Sequence, residues 1–111
     1  DCEWMYLEHV LGMSISAQQN TGARTSGSVG SKLSSLTSGG NNSSGFTGLL
    51  TGYRNESDGA FGWRCCISPY FTSTASGSVN AIYRAASNFT TGVDRDSKEK
   101  TRARAVRCLK D

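Results

Sequence analysis

Apolar residues change their spacing along the chain, which divides it into a helical start and a strand-rich remainder. Trp4, Leu7 and Leu11 recur at the three- to four-residue spacing of one helix face, and Gly12 follows them as a stop signal. The pattern predicts a helix over residues 1–12, capped by its first residue.

A polar stretch with two short helical segments comes next. Residues 14–19 and 29–36 carry enough apolar positions for short helical turns. Between Thr25 and Gly45, 17 of 21 residues are Ser, Gly, Thr or Asn, a composition typical of a flexible linker. The alternative is a long ordered loop held by local hydrogen bonds, and such loops are often functional. The sequence leaves both interpretations open.

Short apolar segments separated by Gly, Ser and Asn dominate the remainder, which is typical of antiparallel strands. The predicted strands cover residues 46–54, 69–74, 79–86 and 103–109, and Asp58-Gly59 is a strong hairpin signal. A helical start followed by strands predicts an α+β domain. The expected core residues are Trp4, Leu7, Leu11, Phe46, Leu49, Tyr53, Phe61, Tyr70, Phe71, Tyr83 and Val106.

Composition and charge narrow the class of protein. With 111 residues the chain is predicted to be one domain, 1–111, and its 36% hydrophobic content favours a modest core. A net charge of +3 is too small to indicate nucleic-acid binding, and no apolar stretch approaches the roughly 18 residues of a membrane span. The chain does not start with Met, which fits either a leader that was cleaved earlier or a piece of a longer protein; the family resemblance given below implies the C-terminal portion of a longer protein.

Four cysteines in a chain of this length favour an oxidising compartment. A bond between Cys2 and Cys108 would join the first element to the last and close a long loop, so this is the candidate disulfide. Cys65 and Cys66 are adjacent, and a disulfide between neighbours is strained. We therefore expect these two to be free or paired elsewhere, and partly exposed.

No enzyme, cofactor or metal site emerges from the motifs. The glycines fit neither nucleotide-binding pattern, and the cysteines lack metal-ligand spacing. His9 is the single histidine and is expected at the surface, so no catalytic triad can be argued. We predict that the protein is not an enzyme and needs neither cofactor nor metal.

Charged residues are concentrated in residues 94–104, directly before the last predicted strand. Asp94 and Asp96 would alternate onto one strand face, and Lys98 and Lys100 would share that face. This arrangement is better explained by mutual compensation of the four charges than by a catalytic pair of carboxylates.

Six segments carry a family resemblance, in order along the chain: CEWMYLEHVLG, GSKLSSLTSGGNNSSGFTGLLTGYRN, SDGAF, YFTSTASGS, NAIYR and VRCLKD. Together they resemble the Fibrobacter succinogenes major paralogous domain, which occurs in secreted and surface proteins of Bacteroidetes-like bacteria. The resemblance implies a C-type lectin-like fold of the formylglycine-generating-enzyme subgroup. In that fold an N-terminal helix and long ordered loops pack on a small antiparallel sheet.

Departures from the family pattern are scattered singly between Trp63 and Arg104, within an otherwise familiar framework. This distribution resembles the variable proteins of diversity-generating retroelements, which randomise chosen codons near the C-terminus of a C-type lectin domain. A phage tropism determinant is the best-known relative. The implied ligand-binding, hypervariable residues are Trp63, Cys65, Cys66, Ile67, Thr72, Ile82, Ala85, Asp94, Asp96, Lys98, Lys100 and Arg102.

The second resemblance implies a display domain that recognises a surface receptor or another ligand, outside the cell, on its surface or on a phage particle. We expect the varied side chains to form one contiguous exposed face, with Trp63 and Arg102 as its energetic anchors. The partner would be a protein or cell-surface ligand, and an oligomer is compatible with this interpretation. The alternative is a non-variable structural or adhesive module, in which the charges form only a solvated face.

Overall fold

Three long antiparallel strands form most of the sheet in the computed structural model, which describes residues 1–106. The helices are α1 (Cys2–Val10), α2 (Ile15–Gln18) and α3 (Val29–Leu33), with short 3-10 turns at Ser26–Ser28 and Leu36–Ser38. The strands are β1 (Gly22–Arg24), β2 (Tyr53–Arg54), β3 (Phe61–Gly62), β4 (Ile67–Ser76), β5 (Asn80–Ser87) and β6 (Thr90–Glu99). The predicted α+β class is confirmed.

The larger sheet has the strand order β1-β6-β5-β4, and β2 and β3 pair as a separate hairpin. The strands predicted over 69–74 and 79–86 are confirmed as β4 and β5. Strand β6 is internal to the sheet, although it contains most of the charged segment. Since β1 pairs only with the part of β6 from Val93 to Arg95, no described strand covers the outer edge of β6 from Asp96 onward.

The predicted N-terminal helix is confirmed as α1. It ends because Gly12 adopts φ +101°, a left-handed conformation that other residues rarely take, and its N–H donates to the His9 carbonyl at 2.8 Å. Asp1 precedes the helix, but its carboxylate caps no backbone group. That carboxylate binds two arginines of the sheet instead.

The serine- and glycine-rich stretch from Thr25 to Gly45 contains α3 and the two 3-10 turns, which agrees with the helical turn predicted over 29–36, and loop segments with local hydrogen bonds connect them. Within it, Lys32 Nζ donates to the Leu11 carbonyl at 2.6 Å. Gly30 lies so close to β6 that a Cβ there would be 1.8 Å from the Gly92 carbonyl oxygen. Helix α3 can therefore approach β6 this closely only because a residue without a side chain occupies this position.

Two of the predicted strands differ from the structure. Of residues 46–54 only β2 is a strand, because Gly52 adopts φ +72° and turns the chain. A Cβ at Gly52 would also lie 2.4 Å from the Gly62 carbonyl oxygen. Residues 103–106 make only isolated bridges, and the rest of that predicted strand lies outside the described residues.

The hydrophobic core lies on the face of the sheet that carries α1 and α3. Its buried residues are Met13, Val29, Leu33 and Val93, which the sequence did not single out. Among the predicted core residues, Trp4, Leu7, Leu11 and Phe46 pack against this cluster and Tyr70 is buried. The prediction is wrong for Leu49, Phe61 and Val106, which are 55%, 84% and 88% exposed. Strands β2 and β3 have two residues each, so the hairpin is too short to bury both of its faces.

A buried charge cluster attaches α1 to the sheet. Glu8 is fully buried, and its carboxylate accepts hydrogen bonds from Arg84 Nε at 2.7 Å and from Arg24 Nη1 and Nη2 at 2.9 and 2.7 Å. Asp1 extends the cluster, with its carboxylate oxygens 2.6 Å from Arg84 Nη1 and 2.7 Å from Arg95 Nη2. Burial lowers the pKa of Arg84, and the neighbouring Glu8 charge opposes this shift.

Candidate ligand-binding groove

The two faces of the sheet have different surroundings. Tyr70 and Arg84 are in register and lie on the face with the core and the buried charge cluster. Phe71 and Tyr83 are in register one position further along and therefore lie on the opposite face. This second face carries the β2–β3 hairpin and residues 102–104. The guanidinium groups of Arg102 and Arg104 lie over the Tyr53 ring of the hairpin, and that of Arg104 also lies over the Tyr83 ring.

A groove of about 280 Å³ lies over this second face. Its walls come from segments that are distant in sequence: the hairpin, the loop before β4, the three long strands and residues 102–104. They combine four aromatic rings, one carboxylate and two guanidinium groups. The principal lining residues are Tyr53, Trp63, Ile67, Tyr83, Phe89, Asp94, Arg102 and Arg104.

Arg102 is held by a carboxylate at the edge of the groove. Its Nη2 donates to Glu56 Oε1 at 2.7 Å and its Nε to the other carboxylate oxygen, and the guanidinium lies 4.9 Å from the centre of the Tyr53 ring. The hydrogen bonds from Arg102 are the main reason why the pKa of Glu56 falls to about 2, and they raise the pKa of Arg102. This pair ties the C-terminal part of the domain to the hairpin.

Arg104 has a different environment, since aromatic rings surround its guanidinium. The ring centres of Tyr83, Phe71 and Tyr53 lie 4.0, 4.8 and 5.9 Å from its Cζ atom. Its Nε is buried without a hydrogen-bond partner among residues 1–106, and no carboxylate there forms an ion pair with it. Burial lowers the pKa of Arg104, because desolvation disfavours the charged form.

Asp94 supplies the carboxylate of the groove. It is half-buried, and within the part of the chain that the structure describes its carboxylate accepts no hydrogen bond and forms no ion pair. Burial raises the pKa of Asp94, while the charge of Arg24 opposes the shift and that of Asp96 adds to it. Desolvation and the nearby Asp94 charge also raise the pKa of Tyr83.

Trp63 and Phe89 form the exposed aromatic edge of the groove. Their ring centres are 5.9 Å apart at an interplanar angle of 89°, and they are 56% and 66% exposed. Trp63 adopts φ +58° and Cys65 adopts φ +64°, left-handed conformations that are strained for residues with a side chain. Backbone hydrogen bonds hold this turn, including one from Asn88 N to the Cys66 carbonyl at 3.1 Å.

The groove brings together four of the twelve predicted ligand-binding residues: Trp63, Ile67, Asp94 and Arg102. Asp96 is opposite Tyr83 in register and so lies on the same sheet face, while Lys98 and Lys100 are exposed further along. Cys65 and Cys66 lie in the turn beside the groove. Asp94, Asp96, Lys98 and Lys100 form no ion pair with one another within residues 1–106, and Lys100 Nζ donates instead to the Ser78 carbonyl at 3.0 Å, so their mutual charge compensation stays a prediction.

The expectation of a single exposed face is wrong for at least two residues. Ala85 is 2% exposed, because it lies between Pro69 and Asp94 in the centre of the sheet. Ile82 pairs with Ser97 and belongs to the opposite face, where it lines a separate hollow. Thr72 is half-buried and its hydroxyl donates to the Ile82 carbonyl at 3.1 Å.

Four groove residues were not among the predicted binding residues. Tyr53 and Tyr83 were expected in the core, where aromatic residues in strands usually lie. Phe89 and Arg104 were not singled out. Arg104 follows Arg102 at the two-residue spacing of a strand, which is the one sequence signal that could have placed both on this face.

Cys2, Cys65 and Cys66 have free thiols, and Cys65 is exposed while Cys66 is half-buried, as expected. The candidate partner of Cys2, Cys108, lies outside the described residues. Within residues 1–106 no three His, Cys, Asp or Glu side chains are close enough to hold a metal ion. In the same residues, none of the helices has the length and apolar character needed to cross a membrane.

A helix-covered antiparallel sheet whose second face bears an aromatic and charged groove makes this a small α+β domain. The sequence profile of the Fibrobacter succinogenes major domain matches residues 1–110, and the chain belongs to this family. Comparison with curated proteins and with solved structures gave no significant match.

Proposed function

We propose that this domain is a non-enzymatic ligand-binding module with a C-type lectin-like fold, and that the groove is the centre of its recognition surface. The observation that carries the proposal is the groove itself, which collects aromatic, acidic and basic side chains from segments distant in sequence. Exposed Trp and Arg residues beside desolvated neighbours are the usual energetic anchors of protein interfaces. The ligand is a receptor or other protein met outside the cell, on its surface or on a phage particle.

The proposal includes diversification of this surface, as in the variable proteins of diversity-generating retroelements. Such a scheme requires a scaffold that does not depend on the varied side chains. The separation of the two sheet faces supports it, because the hydrophobic core and the Glu8 cluster lie on the face away from the groove. Asp96, Lys98 and Lys100 are exposed and can vary at little cost to stability.

The alternative, a non-variable structural or adhesive module, has specific support from two positions. Arg102 ties the C-terminal segment to the hairpin through Glu56, and Ala85 is buried in the centre of the sheet. Random substitution at either position would disturb the scaffold. The neighbouring DNA distinguishes the two functions: diversification requires a near-copy of the codons for residues 63–104, differing at adenines, beside a reverse transcriptase gene.

Binding through the groove is tested with a double variant, Trp63→Ala with Phe89→Ala, which removes the exposed aromatic edge. The domain is screened against purified extracellular proteins, and the affinity of each partner is measured by surface plasmon resonance. We expect the double variant to bind at least about tenfold more weakly, since aromatic anchors dominate interfaces. The matched control is Tyr6→Ala with Val10→Ala, which removes exposed apolar side chains of α1. The proposal would be contradicted if every partner bound the wild type, the groove double variant and the control double variant with equal affinity.

A further inference from the structure

We propose that the groove binds a carboxylate group carried on an apolar body, as in a protein segment where an acidic side chain neighbours an aromatic one, and that Arg104 holds this carboxylate. The inference rests on the function proposed above, because it names the ligand chemistry of the same groove. Arg104 is not among the residues that the sequence assigned to binding.

The geometry of Arg104 is that of a guanidinium fixed in advance. Three rings, those of Tyr53, Phe71 and Tyr83, lie within 5.9 Å of its Cζ atom, so cation–π contacts fix the position of the guanidinium. A guanidinium in contact with aromatic rings keeps its planar N–H donors, which match the geometry of a carboxylate. Its Nε is buried without a hydrogen-bond partner in residues 1–106, no carboxylate there forms an ion pair with the guanidinium, and the side chain lines the groove. A ligand oxygen acceptor is therefore the partner that this group lacks.

The charges around the groove favour a monoanion. Glu56 neutralises Arg102 through two hydrogen bonds, so Arg104 is the lining guanidinium whose charge no described carboxylate pairs. Asp94 already contributes one negative charge to the groove, so a carboxylate, which adds one more, is accommodated at lower cost than a phosphate dianion, which adds two.

The remaining wall determines what the carboxylate is attached to. Trp63 and Phe89 present exposed rings at one edge, and Ile67 adds an aliphatic surface. An apolar or aromatic body bound there would remove this surface from water. A carboxylate on a hydrophilic carrier would leave it exposed. The groove as a whole therefore matches an acidic group with an adjacent apolar group.

The test titrates 3-phenylpropionate into the full chain labelled with ¹⁵N, and NMR follows the arginine Nε–Hε resonances. We expect saturable shifts of the Arg104 resonance, and binding at least about tenfold weaker for the uncharged 3-phenylpropanamide, because charge-assisted hydrogen bonds are lost. Arg104→Gln should weaken 3-phenylpropionate binding by a similar factor. The matched control is Arg64→Gln, an exposed arginine outside the groove lining, which should bind as the wild type does.

Several outcomes would overturn the inference: equal binding of the acid and its amide, unchanged binding by Arg104→Gln, or tighter binding of phenyl phosphate. Equal binding of glucuronate would assign the carboxylate to an acidic glycan and contradict a protein partner. The comparison of 3-phenylpropionate with 3-phenylpropanamide uses the wild type alone. It therefore tests whether the groove requires a carboxylate even if Arg104→Gln does not fold. If the aromatic double variant loses a protein partner while 3-phenylpropionate does not bind, the proposed function stands and the carboxylate inference is wrong.

Discussion

At the scale of single residues, two carboxylates at the groove have pKa values shifted in opposite directions. Glu56 lies against a guanidinium, which lowers its pKa to about 2. Asp94 is half-buried without such a partner in the described chain, and burial raises its pKa. Both are acidic residues near basic ones in the sequence, so local composition does not distinguish them. The difference arises from which side chains the fold brings into contact.

Asp94→Asn is expected to stabilise the domain at neutral pH. Because the folded-state pKa of Asp94 is raised, its charged form opposes folding above that pKa, and this penalty disappears as the pH falls through it. Urea unfolding at pH 7 should show a gain in the free energy of unfolding, which shrinks as the pH falls through the raised pKa and is absent below the ordinary value of 3.8. Asp96→Asn, at an exposed position of the same strand, is the control and should change stability by less than about 0.5 kcal/mol. A loss of stability at pH 7 in Asp94→Asn would show that the carboxylate is favourable.

At the scale of elements, local patterns predicted the helix α1 and the strands β4 and β5, but not β6. Strand β6 does alternate, with Val93 and Arg95 on the core face and Asp94 on the other. The pattern is hidden because a charged residue, Arg95, stands on the core face, where it is half-buried and paired with Asp1 from the start of the chain. The hairpin turn was predictable because its signal is local: Asp58-Gly59 lies between β2 and β3.

Glu56→Gln is expected to loosen the β2–β3 hairpin without unfolding the sheet. The Arg102 pair lies beside the backbone hydrogen bond from Arg54 N to the Ala103 carbonyl, so hydrogen exchange of the Arg54 amide should accelerate while β5 amides keep their protection. The lowered pKa gives the pH dependence: this stabilisation is present above the ordinary value of 4.5 and is lost as the pH falls towards about 2. Glu99→Gln, at an exposed site on β6, is the control. Unchanged exchange at Arg54 would mean that the pair does not hold the hairpin.

At the scale of the whole molecule, the sheet separates the hydrophobic core from the proposed binding groove. One face carries the core and the Glu8 cluster, and the other carries the groove. The sequence could not predict the exposure of each candidate residue, because burial in a sheet depends on register and on neighbours far along the chain. Ala85 shows this. It lies on the groove side of β5, yet it is only 2% exposed, because Pro69 and Asp94 flank it on the two neighbouring strands.

Glu8→Gln should destabilise the whole domain, because Glu8 is the point where α1, β1 and β5 meet. In sequence Glu8 lies on the same helix face as Trp4 and Leu11, which is unusual for a carboxylate and could have marked it as buried and paired. Removing its charge would leave Arg24 and Arg84 buried with less compensation, and breaking one partner of a buried pair costs about 3–5 kcal/mol. Urea unfolding at pH 7 measures the loss, and Glu3→Gln, at an exposed position of α1, should stay within about 0.5 kcal/mol of the wild type. If Glu8→Gln were equally mild, the cluster would not fix the helix to the sheet, and the separation of the two faces would rest on the hydrophobic core alone.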